Sequence, residues 1–202
     1  TIVIDVSTVD SLVFAGNYAG MIRSSDNGAT WTSFPGFQNS LKSIISFGGY
    51  YFGASFRQGL FKSADGGLTW SRSDTGMAPA IDITKIIIRG TDLLASTENG
   101  IYISSDTGNT WNTLNNGLPV NPSAQSIAAK SDTIVISINS FNNHYGNMFI
   151  SFNNGMNWIS YDRPGYLYKI NDLLIIGDTV FTATETHSVW KRGLSDLTSS
   201  TV

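Results

Sequence analysis

Four copies of one octapeptide recur along the 202 residues of this chain, and their spacing constrains its fold more than any other feature. They read Ser24-Ser25-Asp26-Asn27-Gly28-Ala29-Thr30-Trp31, Ser63-Ala64-Asp65-Gly66-Gly67-Leu68-Thr69-Trp70, Ser104-Ser105-Asp106-Thr107-Gly108-Asn109-Thr110-Trp111 and Ser151-Phe152-Asn153-Asn154-Gly155-Met156-Asn157-Trp158. Their tryptophans stand 39, 41 and 47 positions apart. A near-constant period of this size marks a repeat architecture, in which each unit buries its apolar face against the next.

Every box is set in the same succession of short β-branched and aromatic runs. An opening strand is expected at Ile2 to Val6, Ser43 to Phe47, Thr84 to Ile88 and Ser126 to Ala129, and a second at Leu12 to Ala15, Tyr51 to Ala54, Leu93 to Ser96 and Ile134 to Ile138. A loop carrying Gly20, Gly59, Gly100 or Gly146 then leads to a third strand, the box, and a short fourth strand after each tryptophan. A fifth unit lacks the box but supplies Lys169 to Ile170 with Leu173 to Ile176, Val180 to Ala183 and Val189-Trp190-Lys191. Four short strands per unit of about 40 residues, punctuated by glycine turns, predict an all-β fold, a β-propeller of about five four-stranded blades. The blades are expected over residues 1–35, 36–77, 78–117, 118–162 and 163–202 of a single domain. Leu197 to Val202 is expected to supply the fifth outer strand and close a five-blade ring; the other arrangements are a part of a larger propeller or two chains covering each other's edges.

The chemistry of the box is that of a turn between third and fourth strands. Asp26, Asp65 and Asp106 are placed to accept hydrogen bonds from backbone N–H groups and hydroxyls within their own loop. Gly28, Gly67, Gly108 and Gly155 suit positive φ, and Trp31, Trp70, Trp111 and Trp158 are expected to bury their rings where blades meet. In the fourth copy Asn153 replaces the aspartate and Asn157 the threonine, which predicts a weaker turn.

In this form the pattern resembles the Asp-box, or BNR repeat, of sialidases, family 74 xyloglucanases, Vps10-type sorting receptors and photosystem II assembly factors of the Ycf48 type. Three copies match every defining position, and the likeness covers blades one to four. It implies a propeller but no particular activity, because those families share the box while performing unrelated tasks. A second segment, Ser188-Val189-Trp190-Lys191-Arg192-Gly193-Leu194-Ser195-Asp196-Leu197, resembles the one that precedes a type IX sorting domain in secreted propellers of Bacteroidetes-like bacteria, with Gly193 where a proline is usual. That likeness implies a secreted or cell-surface protein, and a chain starting at Thr1 reads as a mature or excised segment.

Composition narrows the functions. Charged residues are 13% of the chain, the net charge is −3, and lysines and arginines are scattered singly, so nucleic acid is not an expected partner. The absence of cysteine excludes disulfide and thiolate chemistry, and no run approaches the roughly 20 apolar residues that span a bilayer.

No catalytic constellation stands out. The sialidase likeness would imply an arginine triad and an Arg-Ile-Pro segment, and none of Arg23, Arg57, Arg72, Arg89, Arg163 and Arg192 sits in one. Glycoside hydrolysis needs two carboxylates across a cleft. Glu98 and Glu185, the only glutamates, fall at corresponding loops of blades three and five and are weak candidates, better explained as turn consensus. His144 and His187 lack a third ligand, so neither a metal nor a cofactor is expected. The loops opposite the boxes carry Tyr18, Phe56, Arg57, Asn99, Phe141, His144, Tyr145 and His187, rings interleaved with amides and cations as a sugar- or peptide-binding surface requires. The expected function is a secreted, non-enzymatic binding or scaffold propeller that takes a glycan or protein ligand. A glycoside hydrolase of sialidase or xyloglucanase type is the alternative, and an assembly factor gripping a protein partner is a third.

Overall fold

The expected strands of the first four blades and the first three of the fifth are present in the computed structural model, which describes residues 3–17, 20–34, 41–139, 146–161, 169–185 and 189–197. Blade one comprises β1 (Val3–Val9), β2 (Leu12–Asn17), β3 (Gly20–Ser24) and β4 (Thr32–Phe34). Blade two comprises β5 (Leu41–Phe47), β6 (Tyr50–Ser55), β7 (Gly59–Ser63) and β8 (Ser71–Arg72). Blade three follows with β9 (Ile83–Arg89), β10 (Asp92–Thr97), β11 (Gly100–Ser104) and β12 (Asn112–Thr113). Blade four holds β13 (Ala124–Lys130), β14 (Thr133–Asn139), β15 (Gly146–Ser151) and β16 (Ile159–Tyr161). Blade five holds β17 (Ile170–Ile176), β18 (Thr179–Thr184) and β19 (Val189–Gly193). Each of the five sheets runs in chain order, as short turns between neighbouring strands require.

The opening strands of blades one, two, four and five share one irregularity, a register shift between their first and third residues, at Val3/Asp5, Leu41/Ser43, Ala124/Ser126 and Ile170/Asp172. A bulge there increases local twist. The chain forms two compact units, Thr1–Leu94 with Ile103–Asn112, and Ala95–Tyr102 with Thr113–Val202, so the division passes through blade three. In the first unit Phe14, Met21, Leu41 and Ile44 are buried together, with Tyr51 and Trp70 packed against them. In the second, Val135, Ile150, Leu173 and Val180 form the core, with Trp190 and Leu194 at its margin. Opening strands of successive blades meet in both units: the Ser43 hydroxyl accepts from Ile86 N (3.3 Å), and Ser126 Oγ donates to Asp172 Oδ1 (2.7 Å).

Two expectations are corrected. Leu197 lies in a 3-10 turn, Leu194–Leu197, rather than in an outer strand. Leu194 N donates to Asp178 O (2.7 Å), which folds the chain back on the β17–β18 hairpin, and the buried Leu197 then anchors it in the core. Blade five therefore has three strands among the described residues; the rest of the proposed strand, residues 198–202, lies outside them. The second correction concerns Trp31, which is 41% exposed rather than buried. Its indole N–H donates to Gly28 O of its own turn (3.0 Å), and among the described residues an added Cβ at Gly28 would meet only Trp31.

Candidate ligand-binding loops and the box turns

The box carboxylates are consumed by their own loops. Asp26 Oδ1 accepts from Ser24 Oγ (2.7 Å) and Thr30 N (2.8 Å), while Oδ2 accepts from Thr30 Oγ1 (2.5 Å). Asp65 and Asp106 repeat the set through Ser63 and Thr69, and through Ser104 and Thr110. Bonds donated to an ionised carboxylate favour the charged form. The Thr30 hydroxyl accordingly holds Asp26 down to about 2 and the Thr110 hydroxyl holds Asp106 at about 2, with Asp65 lowered further by Thr69. Groups so committed to the ionised state are poor proton donors near neutral pH. In the fourth box Asn153 Oδ1 still accepts from Ser151 Oγ (2.9 Å) and Asn157 N (3.0 Å), so the turn closes without a carboxylate or a threonine hydroxyl.

At the opposite end of the first unit, the loop between β6 and β7 presents two of the expected ligand-binding residues. Gln58 N donates to Ser55 O (3.3 Å), Ser55 Oγ donates to Gln58 Oε1 (3.1 Å), and Arg57 adopts φ 53. This tight turn leaves Arg57 exposed and Phe56 half-buried. Lys42 Nζ and the Arg57 guanidinium each lie 5.1 Å from the centre of the Phe56 ring, inside cation–π range. Lys42 carries no signal as a candidate in the sequence because it is the second residue of β5, fourteen positions from Phe56 and brought beside it only by the β5–β6 pairing.

In the second unit the β10–β11 loop is shaped from beneath. The buried Thr97 hydroxyl donates to Gly100 O (2.8 Å) and accepts from Asn99 N (3.0 Å). Asn115 donates to Asn99 O (2.8 Å) and accepts from Ile101 N (2.8 Å), leaving the side chains of Glu98 and Asn99 exposed. Glu185 is also exposed, with its N–H donating to Lys169 O (3.0 Å). Thr97 thus serves the turn. Tyr18, Phe141, His144, Tyr145 and His187 lie outside the described residues.

A concavity that the sequence reading missed lies at the box end of the first unit. It has a volume of about 420 Å³ and is lined by Asp10, Ser46, Tyr50 and Tyr51 around the Gly48-Gly49 turn. Tyr51 Oη donates to Asp10 Oδ2 (2.7 Å), which pushes the phenol up. Lys62 Nζ sits 3.9 Å from the Tyr50 ring, and burial lowers its affinity for a proton. The signal was two adjacent tyrosines after a Gly-Gly turn, whose alternation along β6 sends them to opposite faces. Among the described residues no group of three or more His, Cys, Asp or Glu is placed to hold a metal, and no helix is long and apolar enough to cross a membrane.

Comparison with known proteins agrees with this architecture. The model of the DUF6242 β-propeller domain family matches residues 8–164, and the chain belongs to that family. The GH74 xyloglucanase of Xanthomonas campestris superposes with a TM-score of 0.74 at 13% identity over 92% of this chain and 35% of its own. A structure of YCF48 bound to D1 peptide gives 0.65 at 15% identity, over 93% of this chain and 62% of that one. The extracellular domain of a hybrid two component system from B. thetaiotaomicron gives 0.72 at 12% identity, over 94% and 27%. This chain therefore spans between about a quarter and two thirds of the length of these structures, and at such identities the likeness is one of fold. No curated protein matches it.

Proposed function

We propose that this DUF6242-family propeller is a secreted, non-enzymatic binding or scaffold domain that takes a glycan or protein ligand through the loops opposite its boxes. One observation carries the reading: the Phe56 ring stands at that end with Lys42 and Arg57 both 5.1 Å from its centre, the cationic Arg57 exposed. An aromatic surface flanked by two cations suits a ligand that sets a carboxylate beside an apolar face, such as an acidic sugar or an acidic peptide segment. Tyr18, Asn99, Phe141, His144, Tyr145 and His187, in the corresponding loops of the other repeats, are the further candidates. The commitment of the box aspartates to their turns favours binding over hydrolysis, and the glycoside hydrolase reading rests on Glu98 and Glu185 alone.

Placement outside the cell is supported by the likeness of residues 188–197 to secreted propellers and by the fold shared with the extracellular domain of a two component system. The test is a glycan array that includes uronic-acid and sialic-acid glycans, run beside an acidic-peptide array, with the wild-type chain and the Phe56→Ala and Arg57→Ala variants. Saturable binding lost by about tenfold or more in either variant supports the reading, in line with the loss of an anchor residue at a binding site. Binding that neither variant alters removes this loop from the site. Turnover of xyloglucan or a sialoside that Glu98→Gln abolishes replaces the binding reading with the enzymatic one.

A further inference from the structure

The turns that join the first and second strands of the blades form one series, and blade one departs from it. Each turn has two residues, and the first has positive φ: Asp10 (55), Gly48 (60), Gly90 (59), Ser131 (50) and Gly177 (57). Glycine holds that slot in blades two, three and five, where a positive φ costs it little. The turn therefore needs no carboxylate, yet blade one places Asp10 there. The second position of the second strand forms a parallel series. It is aliphatic in four blades, at Val13, Leu93, Ile134 and Val180, the last three fully buried. In blade two it is Tyr51, which is only half-buried.

The two exceptions meet. Tyr51 Oη donates to Asp10 Oδ2 (2.7 Å) and Ser46 Oγ to Asp10 Oδ1 (3.4 Å), in the wall of the concavity of about 420 Å³ described above. That volume lies within the ~300–1,000 Å³ of small-molecule sites. An ionised carboxylate has about four lone-pair sites. Tyr51 fills one on Oδ2 and Ser46, at the long limit of a hydrogen bond, one on Oδ1, so each oxygen of the exposed Asp10 keeps one. Two hydroxyls on neighbouring carbons are spaced to donate to the two oxygens of one carboxylate. Tyr51 Oη, its proton spent on Asp10, is left with lone pairs for a further hydroxyl. The Tyr50 ring lines the same concavity, and an added Cβ at Gly49 would meet nothing within 4 Å among the described residues, so a ligand ring can approach the backbone there. Charge narrows the class further. Asp10 repels an anion, and Lys62 Nζ, 3.9 Å from the Tyr50 ring, repels a cation.

We propose that this concavity is a second binding site, which takes a neutral sugar residue through two adjacent hydroxyls on the Asp10 carboxylate, with the sugar ring against Tyr50. It is separate from the Phe56 loop, which stands at the other end of blade two and suits an acidic ligand. Asp10 is the anchor, and Tyr51 and Ser46 orient its carboxylate.

Saturation-transfer difference NMR on the whole chain tests this, with the methyl glycosides of glucose, galactose, mannose and fucose as probes and glucuronic acid as the charged comparison. At least one neutral glycoside is expected to bind saturably and more tightly than glucuronic acid. Asp10→Gly, which puts into the turn the residue that blades two, three and five use there, is expected to weaken that binding by about tenfold or more, as for loss of hydrogen bonds to a charged group. Asp10→Asn, which can still accept from Tyr51 but presents an amide N–H₂ to one of the sugar hydroxyls, is expected to weaken it as well. A deoxy analogue lacking one hydroxyl of the pair is expected to bind wild type no better than the parent glycoside binds Asp10→Asn. Phe56→Ala is expected to leave the affinity unchanged, which separates this site from the loops at the other end. Circular dichroism confirms that each variant keeps its β-sheet signal. Failure of every neutral glycoside to bind overturns the proposal, as does binding that survives Asp10→Gly or that glucuronic acid matches.

Discussion

Boxes one and three carry the same turn chemistry, yet their tryptophans have opposite fates. In both, an aspartate accepts from a serine hydroxyl, a threonine amide and a threonine hydroxyl at nearly the same distances. Trp111, however, is 2% exposed and sends its indole N–H out of its own blade to Ser73 O (2.7 Å), while Trp31 is 41% exposed and satisfies its N–H on Gly28 O. Box four behaves like box three: Trp158 is 8% exposed and donates to Leu114 O (2.7 Å) of the preceding blade. Box two is intermediate, with its N–H on Gly67 O (3.1 Å) and its ring edge on Phe14. The turn is therefore a local object, closed by its own side chains, and the tryptophan is a separate device whose value depends on what lies beside it. Local hydrogen bonding closes even the degenerate fourth turn, and packing makes its Trp158 as well placed as Trp111.

The largest test of that separation is truncation of the two rings. Trp111→Ala is expected to cost about 3–5 kcal/mol, as for large aromatic truncations in cores, with an added penalty from the Ser73 carbonyl left without its donor. Trp31→Ala is expected to cost under about 1 kcal/mol, as for a change at an exposed site. Chemical denaturation reads both, and equal costs would break the comparison.

A smaller contrast lies in the box glycines. Gly28 and Gly67 share positive φ, 89 and 82, so alanine strains the backbone at either by about 1–2 kcal/mol. At Gly67 the new Cβ also meets Phe14 at 2.9 Å, which adds about 1–3 kcal/mol of overpacking, whereas at Gly28 the nearest atom is 3.7 Å away on Trp31. Denaturation midpoints that fall equally for Gly28→Ala and Gly67→Ala would show that the box is not pressed on its neighbour.

The smallest effect is one of pH and isolates the turn from the packing. Asp26 and Asp106 titrate at about 2 in the folded chain against 3.8 ordinarily, so their stabilisation is present above about 3.8 and is lost as pH falls towards 2. Asn153 has no proton to gain. Amide exchange followed by NMR should therefore show Thr30 and Thr110, whose N–H groups bond Asp26 and Asp106, losing protection on acidification ahead of Asn157, whose N–H bonds Asn153. Simultaneous loss at all three would mean that global unfolding, not carboxylate protonation, opens the turns.

Much of this was legible in the chain because it is short-ranged. Period-two runs of Val, Ile and Phe, glycines at fixed offsets and the box itself placed each strand to within a few residues, since a turn of eight residues carries its own donors and acceptors. The site was legible only in part. Phe56 and Arg57 were visible as ring and cation in a loop, but Lys42 joined them through strand pairing, and the Asp10–Tyr51 concavity formed where two hairpins meet. Likewise Leu197, expected to begin a final strand, lies with Leu194 in a 3-10 turn because the Asp178 carbonyl and the adjoining core are within reach.

By itself, the sequence determined that this is an all-β repeat protein with box turns and no cysteine chemistry, because those properties are written in residue type, in turns of fewer than ten positions and in the 39- to 47-residue spacing at which they recur. Only the tertiary structure decided which tryptophans are buried and which aromatic rings the boxes press on. Burial depends on the atoms of a neighbouring blade some forty residues away, which an octapeptide of one pattern does not record.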